Sequence, residues 1–112
     1  MYNKDETIIL MMLDIIEKIF RYTSELSNPK KFFSNEKTFD ATMMNFIALG
    51  EIISKISNEF KETNNDIDWR EIYDFRNIVA HDYFGIDEYE VWEIIKKHLP
   101  KLKNKLEKIL RS

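Results

Sequence analysis

The 112-residue sequence predicts an all-α fold, an antiparallel bundle of four to five helices. Three observations carry that prediction. Apolar residues recur at three- and four-residue spacing almost throughout, the period of an amphipathic helix. No segment sustains the strict alternation of a half-buried strand. Two glycines and two prolines leave almost no punctuation between long elements.

The first helix is expected over residues 4–26, with Ile8, Met12, Ile15, Ile16, Ile19 and Phe20 in its apolar stripe. Ser27-Asn28-Pro29 ends it. A short helical turn around residues 30–34 follows. A second long helix is expected over residues 36–62, where Phe39, Met43, Phe46, Ile47, Leu49, Ile53, Ile56 and Phe60 cover a broad apolar face. Gly50 sits inside it, where glycine costs about 1 kcal/mol against alanine, so another backbone or a ligand should approach closely there. The polar stretch 63–66 is a loop.

Asp68-Trp69-Arg70-Glu71 reads as a capping box opening a third helix, which should run to residues 81–84 and stop before Gly85. Asp87-Glu88-Tyr89-Glu90 repeats the pattern and starts a fourth. Pro100 either kinks that helix or begins a fifth, ending near Leu110. With no repeat and no dividing linker, one domain over residues 1–112 is expected.

A hydrophobic fraction of 44% with 33% charged residues fits a folded soluble protein and excludes a disordered one. Without cysteine there is no disulfide and no thiolate metal site, which fits a reducing compartment. The N-terminus lacks signal-peptide character. The longest apolar run, Thr7 to Leu13, is far short of the roughly 20 residues that cross a bilayer. A cytoplasmic location with no membrane partner is therefore expected.

A net charge of −3 gives no general basic character, and no DNA partner is expected. The distribution is uneven: residues 1–95 carry −9 and residues 96–112 carry +6. The basic block Lys96, Lys97, Lys101, Lys103, Lys105, Lys108 and Arg111 either holds phosphates or an acidic partner, or is the solvated face of a helix. Its opposing stripe of Leu99, Leu102, Leu106, Ile109 and Leu110 favours the second use.

The chemically richest segment is Asp74-Phe75-Arg76-Asn77-Ile78-Val79-Ala80-His81-Asp82-Tyr83. With Arg76 at zero on a regular helix, Ala80 falls near 40°, Asn77 near 100°, His81 near 140° and Tyr83 at about 340°. A guanidinium, an amide, an imidazole and a phenol thus share one polar arc with the small Ala80 in its middle. Asp82 lands near 240°, among apolar neighbours, so the helix should loosen there. Arg76 and His81 stand too far apart in angle to clasp one small group unaided, which a two-fold dimer would remedy by pooling both sets. Each residue also has an ordinary use: Arg76 in a pair with Asp74 or Glu71, His81 as a surface or helix-end histidine, Asn77 as a plain polar residue, Tyr83 at an amphipathic rim. His81 and His98 lie in different segments and the acids show no ligand spacing, so no metal site is expected. His98 reads as a helix-end histidine. Glu51, beside Gly50, is the one carboxylate placed to reach a cleft.

Arg76-Asn77-Ile78-Val79-Ala80-His81-Asp82-Tyr83 resembles the R-N-x-x-x-H-x-Y signature of HepT-like proteins, a branch of the HEPN superfamily. Ala48-Leu49-Gly50-Glu51, Asp68-Trp69-Arg70-Glu71-Ile72, Tyr83-Phe84-Gly85-Ile86-Asp87 and Val91-Trp92 resemble its flanks, so the likeness covers essentially the whole chain. Phe75, where the family often has methionine, is a small departure. The resemblance implies the toxin of a two-gene toxin–antitoxin module, of the HEPN/minimal nucleotidyltransferase kind. It implies an all-helical homodimer whose cleft cuts RNA with the arginine and histidine of both subunits, here Arg76 and His81. It implies an antitoxin that is a minimal nucleotidyltransferase and attaches AMP to the motif tyrosine, here Tyr83. No cofactor is implied.

On that basis His81 is assigned proton transfer and Arg76 the stabilisation of the phosphorane, with Asn77 in support of the histidine ring or its backbone. Metal-independent cleavage leaves a 2′,3′-cyclic phosphate and a 5′-hydroxyl. The rival reading is a non-catalytic dimeric helical module that binds a nucleotide or a nucleotidyltransferase partner; a purely structural bundle is the third.

Overall fold

Six helices begin on a side chain that accepts a backbone N–H the helix itself cannot satisfy. The caps are Asn3, Asn28, Asn35, Ser57, Asp68 and Asp87, accepting from Glu6, Lys31, Thr38, Phe60, Glu71 and Tyr89. The computed structural model describes residues 1–111. In it α1 spans Lys4–Thr23, α2 Pro29–Ser34, α3 Glu36–Ile53, α4 Asn58–Thr63 and α5 Trp69–His81. A 3₁₀ turn covers Tyr83–Gly85, and α6 (Glu88–Glu93), a π-helical turn (Ile94–His98) and α7 (Leu99–Arg111) run on as one rod. The expected all-α bundle is what forms: three long helices and the rod, with two short helices between them.

The core is one cluster. Ile9, Met12, Ile16 and Ile19 of α1 are fully buried, together with Phe32, Met43 and Leu106 from α2, α3 and α7. α3 is the central element and packs against both α1 and α5, while α7 closes on α1 and α2 on α6. Among the described residues no helix is long and apolar enough to cross a membrane.

Three boundaries differ from expectation. α1 stops at Thr23, whose buried hydroxyl donates to the Ile19 carbonyl, and Leu26 then folds back through its N–H to the Thr23 carbonyl. The second helix does not reach residue 62. Lys55 and Ile56 tighten to three-residue hydrogen bonds, Ser57 turns extended, and α4 starts anew. Asp5 of α1 fixes the break, accepting the Ser57 N–H at 2.9 Å and its hydroxyl at 2.7 Å. Apolar periodicity continues through Ile56 and Phe60, so it conceals a break made by a contact 52 positions away. The helix expected to begin at Pro100, finally, opens one residue ahead of it, as α7 at Leu99. The π turn ahead of it lets the Leu99 N–H donate to the Ile94 carbonyl, so the missing proline N–H is absorbed within a continuous helix.

Candidate active site on α3 and α5

Gly50 of α3 lies against the stem of Arg76. A Cβ on residue 50 would fall 2.2 Å from the Arg76 Cβ and 2.6 Å from its Cγ, so only glycine lets α5 seat here. The expected close approach at Gly50 is therefore an approach by the motif arginine. From that seat the guanidinium turns to two acceptors. Nη2 pairs with the Glu51 carboxylate, and Nη1 donates to Asn77 Oδ1 at 2.9 Å. Nε is buried without an acceptor, which puts a desolvation cost on this placement. The Arg76 side chain is 23% exposed and Glu51 55%, so the charge is held at the edge of the helix pair rather than swinging in solvent.

Arg76 thus chooses neither Asp74 nor Glu71. Asp74 pairs instead with Arg70, 3.8 Å away on the outer surface. Glu71 gives only half of the expected capping box: its N–H donates to Asp68, and its own side chain makes no return bond among the described residues. Asn77 supports the arginine. His81, the last residue of α5, is exposed and makes no hydrogen bond or ion pair among the described residues, so the expected orientation of its ring by Asn77 is absent.

Tyr83 does not share the arc. Asp82, at φ −137° and ψ 47°, ends α5, and the 3₁₀ turn redirects the phenol toward α3. Its O–H donates to Asp40, and its ring stands edge-on to Phe39, with centroids 5.8 Å apart. Burial raises the Tyr83 pKa far above the ordinary phenol value, and the Asp40 carboxylate adds to the rise. Regular helical angles place Tyr83 beside Arg76 only if the helix continues past Asp82; the helix stops one residue too soon.

Asp40 was invisible to motif reasoning because its partner lies 43 positions away. One signal exists in hindsight. Asp40 and Glu51 are eleven residues apart on α3, which returns them to within about 20° of one face. One holds the tyrosine, the other the arginine. Between them Met44 is 63% exposed, and Ile78 across on α5 is 51% exposed, with exposed Ala48 and Ala80 beside them.

Other features lie apart. A cavity of about 210 Å³ opens between α3, α5 and the rod, lined by Phe46, Leu49, Phe75, Leu102 and His98 among others, and by none of the four motif residues. His98 ends the π-helical turn, as a helix-end histidine would, and also lines this cavity. The basic block is largely engaged in the fold: Lys103 pairs with Glu17, Lys105 donates to the Asp66 carbonyl, Lys97 pairs with Glu93, and Lys96 stands over the Trp92 ring. Among the described residues no three His, Cys, Asp or Glu side chains gather as a metal site would require.

The family model described as "Ribonuclease HepT-like" matches residues 12–109. A Methanocaldococcus jannaschii protein named "Gamma-glutamylcyclotransferase and putative RNase" is 37% identical over 98% of this chain, which spans 50% of that longer protein. The "Probable ribonuclease HepT" of Thermococcus cleftensis is 34% identical over 86% of each chain. A further M. jannaschii protein, named as an RNase of the putative kind, is 31% identical over 86% of this chain and 90% of its own length. No solved structure gives a significant match. With the arginine, histidine and tyrosine of the motif arranged along α5 and its exit turn, the chain belongs to the Ribonuclease HepT-like family.

Proposed function

We propose that this chain is a metal-independent endoribonuclease that works as a homodimer and is the toxin of a module controlled by AMP transfer to Tyr83. The observation that carries the proposal is the pre-set Arg76: a motif arginine seated by a glycine, oriented by Glu51 and Asn77, on the same helix as an exposed, unengaged histidine. Relatives of this chain are named "putative RNase" and "Probable ribonuclease".

The chemistry divides between the two groups. His81 is the group assigned to take the ribose 2′-proton, the role in which an imidazole most often serves. Attack of the 2′-oxygen on phosphorus expels the 5′-oxygen and leaves a 2′,3′-cyclic phosphate. Arg76 offers a fixed fork to the non-bridging oxygens, with RNA phosphate competing against Glu51 for it. One chain offers a single imidazole, and proton transfer at both ends of the reaction calls for two. A second copy related by a two-fold axis, with its α5 facing this one, would supply the partner's imidazole to the same cleft. AMP on Tyr83 adds bulk and negative charge beside that cleft and competes with RNA.

RNA digestion in EDTA, comparing the parent chain with His81→Ala, tests the reading. The parent should release cyclic-phosphate ends and the variant should lose about 100-fold or more in rate. Equal cleavage by both would sink it. The non-catalytic alternative, a dimeric module for a nucleotide or a nucleotidyltransferase, draws on the Glu51–Arg76 pair, which already neutralises the arginine. It predicts no cleavage by either chain.

A further inference from the structure

Tyr83 and Asp40 meet across the seam between the exit turn of α5 and the start of α3, and motif and family reasoning assign Asp40 nothing. We infer that Asp40 is the base that takes the phenolic proton when Tyr83 accepts a nucleotidyl group, an inference that rests on the AMP-transfer reading above.

A neutral phenol is a poor nucleophile, and its reactive form is the phenolate. Here the phenolate is suppressed. The ring is partly buried between Phe39 and Phe84, and the carboxylate facing it disfavours a second negative charge. Near neutral pH almost no preformed phenolate exists, so the proton must leave as the new bond forms. That requires an acceptor already within hydrogen-bond reach of the oxygen. Asp40 is such an acceptor. The rings of Phe39 and Phe84 cannot take a proton, and Asp82, on the same turn, stands over Gly85. Asp40 is the charged group of α3 that faces the phenol.

Its setting also suits turnover. Asp40 is exposed and has no second partner among the described residues, so a proton received from Tyr83 passes directly to water. The same hydrogen bond fixes the hydroxyl rotor, which leaves an oxygen lone pair free to face an incoming nucleotide. The step balances with a ribonucleoside triphosphate as co-reactant. The phenolic oxygen bonds to the α-phosphorus, the bond from that phosphorus to the α,β-bridging oxygen breaks, pyrophosphate leaves, and the proton goes to Asp40.

The test is the rate of label transfer from α-labelled ATP to the full chain by an added, purified minimal nucleotidyltransferase, measured across pH for parent, Asp40→Asn and Asp40→Glu, with Tyr83→Phe as blank. Asp40→Asn keeps an acceptor for the hydroxyl but removes the base. Its rate should fall about 100-fold near neutral pH. Its profile should then climb about tenfold per pH unit, because only phenolate reacts. The parent and Asp40→Glu should stay nearly flat. An Asp40→Asn chain that labels at the parental rate, or more slowly with a flat profile, overturns the base assignment alone. A parent chain that takes no label overturns the AMP-transfer reading and this inference with it.

Discussion

Gly50 and Arg76 are in contact stem to backbone: the α3 glycine provides the space that the Cβ and Cγ of the arginine occupy. The placement of the guanidinium is thus decided on another helix, before Glu51 or Asn77 contributes a hydrogen bond.

Replacing that glycine should therefore do double damage. Alanine in a helix interior normally gains about 1 kcal/mol over glycine. At Gly50 the added methyl meets the Arg76 stem, and overpacking of that kind costs about 1–3 kcal/mol. Gly50→Ala should lower the melting temperature by several degrees and RNA cleavage together. Gly85→Ala is the control: there a Cβ meets only the mobile end of Asp82, and melting should change little. Thermal melts of both variants decide.

Charge alone should not replace the fork. Arg76→Lys keeps a cation but lacks the planar fork whose two nitrogens engage Glu51 and Asn77 separately. RNA cleavage should drop about 100-fold, the scale of removing one preorganised donor. A lysine chain within threefold of the parent would show that orientation is unimportant.

Tyr83 should give the fold an alkaline limit. Its folded pKa lies above the 10.0 of an unperturbed phenol, because of burial and then Asp40. The associated stability is whole below pH 10.0 and is lost as pH rises above it, where the unfolded chain ionises first. Asp40→Asn should weaken that dependence and bring the Tyr83 titration down. Phenolate absorbance, parent minus Tyr83→Phe, reads the titration directly.

The acid side should carry a smaller limit set by Asp5. The Ser57 N–H, and then its hydroxyl, hold the carboxyl below its ordinary 3.8. The contribution is present above pH 3.8 and is lost as pH falls through the depressed folded value. Asp5→Asn should flatten that part of the urea-midpoint profile. An unchanged slope would mean that the link between α1 and α4 carries no proton-coupled stability.

Legibility in the sequence followed the range of the interaction. Helix starts were readable at Asp68 and Asp87 because a cap acts within three residues. Gly50 was readable as a close approach because its cost is local, though its neighbour was not nameable. The break at Ser57 and the Asp40 hydrogen bond are contacts spanning 52 and 43 positions, and no local pattern encodes either. Asn77 accepts from Arg76 where the histidine was the expected neighbour, because helical angle says which face a side chain takes and not which neighbour it prefers. Tyr83 is misplaced by the same device, since one non-helical residue at Asp82 cancels the angular count.

Asp40 and Glu51, on one face of a single rigid helix, make α3 a common gauge for two separate events. A rotation of that helix by a fraction of a turn would shift the carboxylate under the tyrosine and the carboxylate under the arginine in the same sense. Under the proposed function, RNA cleavage and AMP acceptance would then change together. Substitutions in the α3 core, at Met43 or Phe46 for instance, should alter both in step.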